Sequence, residues 1–114
     1  MDELKDLTNQ VNKFRDDRHW RQFHNPKDLS MSVAIEAAEL MEKFQWSKKN
    51  TKEYIDSHKE EIGEELADVV IYLLFLADDL GLDVKQIVED KLKKQANKYP
   101  VDKFKGTDKK YNVE

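Results

Sequence analysis

Glu61-Ile62-Gly63-Glu64-Glu65-Leu66-Ala67-Asp68-Val69-Val70-Ile71-Tyr72-Leu73-Leu74-Phe75-Leu76 decides how this chain folds. In its first half Glu61, Glu65 and Asp68 recur at spacings of 4 and 3, and Tyr72 follows 4 further on, so all four share one side of a helix. Beyond Asp68 the segment is apolar on almost every side. A helix apolar all round must be buried all round. Three other short helices in a chain of 114 residues hardly enclose it. The simplest remedy is a second copy packed against it by two-fold symmetry; the alternative is a central helix in a monomeric bundle. The expected fold is all-α, a four-helix bundle completed by homo-oligomerisation.

Working outward, Thr51 is the expected N-cap of this helix and Gly81 its stop, with a break around residues 56–59, where His58 weakens it and Gly63 follows. Upstream, a second helix is expected from Pro26–Asp28 to about Trp46, set off by Ser47-Lys48-Lys49-Asn50. A first helix from Asp2 to Arg18 places Leu4, Leu7, Val11 and Phe14 on one apolar stripe. Between them lies an aromatic loop, Trp20 to Pro26, whose proline disfavours helix just before it. Downstream, Asp83 and Gln86 resemble a capping box opening a fourth helix that ends near Tyr99-Pro100. Residues 101–114 read as an extended polar tail of a single 1–114 domain.

Composition narrows the function. Charged and hydrophobic residues each make up 39%, with three glycines, two prolines and no cysteine. Thiolate catalysis and Cys-ligated zinc are therefore excluded. The apolar run Val69 to Ala77 is too short for a membrane span, and Met1-Asp2-Glu3 does not open a signal peptide, so a cytoplasmic setting is expected. Residues 28–90 carry sixteen acidic residues against six lysines, while residues 91–114 carry eight lysines against three acidic residues. No dominant basic face suggests a nucleic acid. Clustered carboxylates with lysines brought up to them suit a metal-bound polyphosphate.

Two acidic motifs carry that reading. Glu36 and Glu39 lie one turn apart on the second helix, and Glu65 and Asp68 one turn apart on the third. Each motif sits among core-type residues, and like charges at these spacings cost a few tenths of a kcal/mol per pair on a surface, and more when partly buried. A hard divalent cation compensates: Mg²⁺ takes oxygen ligands and keeps positions open for phosphates. Zinc and di-iron sites are disfavoured because no His accompanies the motifs at ligand spacing. Taken singly, an ExxE pair is more often a solvated face than a metal site; the two motifs together raise the odds.

Glu36-Ala37-Ala38-Glu39, Phe44-Gln45-Trp46 and Glu64-Glu65-Leu66-Ala67-Asp68-Val69-Val70-Ile71-Tyr72, in that order, resemble the MazG-like all-α NTP pyrophosphohydrolases. His19-Trp20-Arg21-Gln22-Phe23-His24-Asn25-Pro26, Lys98-Tyr99-Pro100 and Lys105-Gly106…Lys110-Tyr111 are similar to the dCTP-pyrophosphatase-like branch. The resemblance implies hydrolysis of a (deoxy)nucleoside triphosphate, dCTP or a related pyrimidine dNTP, to the monophosphate and pyrophosphate. It implies Mg²⁺ on Glu36, Glu39, Glu65 and Asp68, with Mn²⁺ as a substitute, and a homodimer or homotetramer. Trp20, Trp46 and Tyr72 are expected near base and sugar, with His24 in the same loop, and Lys91 and Lys94 near the phosphates. Gln95 stands where the family often carries Asn after Lys-x-x-x, and is counted with the substrate contacts. For the chemistry, Glu39 is the preferred residue to activate water, with Glu65 beside it. The competing reading is a non-catalytic helical interaction module with an acidic cation-binding groove. His19 and His58 are assigned to the surface.

Overall fold

The computed structural model describes residues 2–46 and 50–110. Among these residues there is no strand, and the all-α expectation holds: α1 (Glu3–Asp17), α2 (Pro26–Glu42), α3 (Lys52–Asp79), α4 (Val84–Lys98) and a single turn, α5 (Val101–Phe104). Thr51 accepts the N–H of Tyr54 at 3.2 Å, and Asp83 accepts that of Gln86 at 3.0 Å. Each satisfies a donor that the first helical turn leaves free. Asp83 and Gln86 make only half a capping box, because the Gln86 side chain donates forward to Asp90 Oδ1. Pro26 takes the first position of α2 behind Asn25, whose side chain caps Asp28 N–H at 2.8 Å. Gly81 ends α3 with φ 67°; Leu82 N–H reaches Ala77 O and Gly81 N–H reaches Asp78 O, the two bonds of a Schellman turn.

Two boundaries differ from expectation. The last bonds after α2 tighten to Lys43 N–H→Leu40 O and Phe44 N–H→Met41 O, so the chain leaves the helix before Phe44-Gln45-Trp46. Residues 47–49 of the polar separator, and Tyr111, lie outside the described residues. The expected extended tail begins instead with α5, where the Phe104 ring packs edge-on against Tyr99 at 4.9 Å.

α2 and α3 form the hairpin that carries the site. The inward stripe of α2 is Leu29, Val33, Glu36 and Leu40, and Lys43 just past its end continues it, at spacings of 4, 3, 4 and 3. Lys43 Nζ lies 3.9 Å from Glu61, whereas Glu36 meets Glu65 and Asp68, so the two helices run antiparallel. Among the described residues the buried apolar side chains are Leu29, Leu74, Phe75 and Ala77. Across the C-terminal half of α3 lies α1, turned differently from its apolar stripe. Leu7 and Phe14 are 43% and 46% exposed, while Asn12 and Arg15 are buried. On α3 itself Leu66, Val70 and Leu73, at spacings of 4 and 3, form an exposed face. The radius of gyration is 17.6 Å, against about 13 Å for a compact domain of this length. No helix of the described residues is long and apolar enough to cross a membrane.

Candidate active site

Glu36 lies on the inward stripe of α2 because the helical period that buries Leu29, Val33 and Leu40 also turns position 36 toward α3. Glu65 and Asp68 occupy the facing stripe of α3. Carboxylate oxygens of Glu36, Glu65 and Asp68 all lie within 4.8 Å of one another, and each residue is half-buried. Glu36 Oε2 and Glu65 Oε2 are buried without a hydrogen-bond partner among the described residues. Burial pushes the Glu36 carboxyl above the usual carboxylate range, and the adjoining carboxylates of Glu39, Asp68 and Glu65 push the same way. Glu65 is raised likewise, first by burial and then by Glu39 and Asp68, with Lys43 opposing. The fourth expected ligand, Glu39, is exposed at the edge of this cluster. The sequence thus placed all four carboxylates in one neighbourhood, three of them mutually within reach of one small ion.

Beside the cluster opens a groove of about 560 Å³, lined in part by Glu39, Lys43, Tyr54, His58 and Glu65. The remaining expected contacts are spread more widely. Tyr72 is half-buried one turn beyond Asp68, edge-on to Phe75 at 5.7 Å. His24 lies against the other side of that neighbourhood, 5.3 Å from the Phe75 ring. Trp20, 39% exposed, packs edge-on against Phe14 at 5.6 Å. Trp46 is 66% exposed past the end of α2. Lys91, Lys94 and Gln95 are exposed on α4, which packs on α1, and neither lysine forms an ion pair among the described residues.

A family model described as MazG-like matches residues 31–113, spanning both acidic motifs and α4. The chain belongs to the MazG-like family. Among similar proteins is dCTP pyrophosphatase 1 of Mus musculus, 33% identical over 111 residues, covering 95% of this chain and 65% of that protein. The Homo sapiens protein of the same name is 31% identical over 111 residues, with the same shares covered. This MazG-like chain therefore spans just under two thirds of the length of those relatives. The crystal structure of a pyrophosphatase from Archaeoglobus fulgidus matches with a TM-score of 0.79 and 39% identity, covering 88% of this chain and 94% of the other.

Two features of the MazG-like chain escaped the sequence. His58 was assigned to the surface, yet it interrupts α3 with φ −117° and ψ 15° and lines the groove. Its ring stacks on Tyr54 at 4.1 Å, and its Nδ1 lies 3.0 Å from Tyr54 O. Ser57 Oγ lies 2.9 Å from the same nitrogen. The expected break around residues 56–59 was the available signal. Arg15 gave none: within Lys13-Phe14-Arg15-Asp16-Asp17 it reads as one more surface charge. It is fully buried, donating to Asn12 Oδ1 at 2.5 Å and pairing with Asp79 at 3.0 Å and Asp78 at 3.3 Å. Arg21 pairs with the same two aspartates and with Asp16, which ties the aromatic loop to the end of α3.

Proposed function

We propose that this chain hydrolyses a (deoxy)nucleoside triphosphate, dCTP or a related pyrimidine dNTP, to the monophosphate and pyrophosphate, as nucleotide-pool housekeeping in the cytoplasm. The observation that carries the proposal is the pair of buried, unpartnered oxygens, Glu36 Oε2 and Glu65 Oε2, set beside Asp68 in the middle of a helical hairpin. Buried acceptors with no donor and raised proton affinity are costly to hold for structure alone. The family and the pyrophosphatase names of its similar members support the same reading.

The residues present fit a divalent cation. The donor set is all oxygen, which suits Mg²⁺, with Mn²⁺ as a substitute, and disfavours zinc. Glu36, Glu65 and Asp68 would hold the ion, with Glu39 joining from the edge. When bound, it supplies positive charge opposite the phosphate oxygens. Glu39, free to turn toward solvent, orients a water and accepts its proton, with Glu65 beside it. The water oxygen bonds to the α-phosphorus as the bond from that phosphorus to the bridging oxygen breaks, and pyrophosphate leaves with the electron pair. Lys43, at the lip of the groove, offers a cation to the polyphosphate. Trp20, His24, Trp46 and Tyr72 are assigned to base and sugar. Lys91, Lys94 and Gln95 are assigned to the polyphosphate, brought there by the assembly.

A homodimer or homotetramer belongs to this reading. The exposed Leu66–Val70–Leu73 face, the exposed Leu7 and Phe14, and the open shape of the single chain all support a second copy. A non-catalytic helical module with an acidic cation-binding groove would also bind the ion, but would turn over no nucleotide. The deciding experiment is pyrophosphate release from a panel of dNTPs and NTPs, with Mg²⁺ and with chelator. Metal-dependent release that Glu65→Gln and Asp68→Asn abolish is expected. A folded protein that hydrolyses none of them refutes the proposal.

A further inference from the structure

Besides its ion pairs, the buried Arg15 makes one contact with an imidazole. Arg15 Nη1 lies 3.2 Å from His24 Nδ1. A guanidinium has donors only and keeps its charge at any pH a protein survives. His24 Nδ1 must therefore be the acceptor, and the single ring proton of the neutral imidazole must sit on Nε2. No hydrogen bond from a described residue engages that nitrogen, and His24 is only half-buried. The ring is held in place from its other side as well: it rests on Phe75 at 5.3 Å, and Arg15 covers the same Phe75 ring at 4.8 Å from its centroid. Phe75 in turn meets Tyr72, one helical turn from Asp68. The clamp and the acidic cluster are thus joined through two aromatic rings of α3.

We infer that Arg15 is a positioning residue that fixes His24 as the Nε2–H tautomer, so that His24 presents a hydrogen-bond donor to an acceptor atom of the nucleobase, a carbonyl oxygen or an unprotonated ring nitrogen. This rests on the nucleotide-hydrolase reading above. Burial and the Arg15 charge hold His24 below the usual histidine range, with Asp79 opposing and Arg21 reinforcing, which agrees with a neutral ring. Arg15 touches neither substrate nor ion; it acts through the imidazole it orients.

The test is ¹⁵N-correlated NMR of the histidine rings at neutral pH, on the full chain, with dCTP added in the presence of chelator and compared with steady-state kinetics. The wild type is expected to show His24 with its proton on Nε2, and that signal is expected to shift when dCTP binds. Arg15→Met is expected to mix the tautomers and raise KM roughly tenfold, the size of one hydrogen bond, with kcat little changed. Should Arg15→Met fail to fold, Arg15→Gln, which keeps a donor for Nδ1, is expected to retain the tautomer and most of the affinity. His24 protonated at Nδ1 in the wild type overturns the inference, whatever the activity. A nucleotide that binds and is hydrolysed without moving the His24 signal overturns it while sparing the proposed reaction. Absence of any nucleotide hydrolysis with Mg²⁺ present sinks the reaction and the ligand half of the inference together.

Discussion

Stripping the protein of divalent ions and returning Mg²⁺ at a series of pH values tests the acidic cluster without substrate. Glu36 and Glu65 bind their protons more tightly in the fold than the ordinary carboxylate of an unfolded chain does. Where the native state holds more protons, stability falls as pH rises. The contribution of these two groups is therefore present in full below the ordinary value of 4.5 and is lost as pH climbs through their raised folded values. A cation needs the deprotonated carboxylates and binds only the folded arrangement, so its stabilisation grows across the same window. Its size follows from mass action: about 1.4 kcal/mol at ten times the dissociation constant and about 2.7 kcal/mol at a hundred times. For a domain of this length that is roughly 6 and 11 °C in Tm. Differential scanning calorimetry at fixed protein concentration reads it directly.

Glu36→Gln supplies the control. The amide keeps the shape, removes one of the crowded charges and offers a donor to Glu65 Oε2, which has none. The metal-free variant is expected to melt above the metal-free wild type, by a margin that widens with pH, and to lose most of the Mg²⁺ increment. Two results would refute the reasoning: a wild-type Tm indifferent to Mg²⁺ above pH 6, or a Glu36→Gln protein that melts lower at every pH. The second would mean that Glu36 serves the fold as a hydrogen-bond acceptor.

Three further outcomes are expected. Leu29→Ala, at a side chain 1% exposed between α2 and its neighbours, costs about 2–5 kcal/mol by urea unfolding; less than 1 kcal/mol would mean that this core collapses around the loss. Leu73→Glu, on the exposed α3 face, shifts the assembly toward monomer by size-exclusion chromatography with light scattering, and an unchanged mass would move the interface elsewhere. His24, held below its ordinary 6.5, leaves the unfolded chain binding more protons, so its contribution is whole above that value and is lost as pH falls toward the folded one. His24→Gln should flatten that part of the stability profile, and an identical slope in the variant counts against a neutral imidazole beside Arg15.

What the sequence made legible was whatever one helix decides alone. The 3.6-residue period determines which side chains share a face, so Glu36 with Glu39 and Glu65 with Asp68 could be grouped before any packing was known. Thr51, Asp83 and Gly81 mark helix ends by chemistry local to three or four residues. The turning of α1 was not legible, because Arg15 is buried by Asp78 and Asp79, more than sixty residues away. Local pattern preferred Leu7 and Phe14, apolar side chains that the single chain leaves exposed. The early end of α2 and the place of His58 in the groove likewise depend on how α2 and α3 close on each other.

The two charged centres on α3 differ in how their charges are balanced. At its C-terminal end, Asp78 and Asp79 are met by Arg15 and Arg21, so the charges are balanced within the chain and every carboxylate there has a cation beside it. In its middle, Glu65 and Asp68 face Glu36 and Glu39, and Lys43, which acts on Glu65, has its ammonium by Glu61. A buried charge is tolerable when it is paired and costly when it is not. The first centre therefore ties the aromatic loop to α3, and the second fits the cation proposed for it. Both sit on one helix, with Tyr72 and Phe75 between them and His24 against the Phe75 ring.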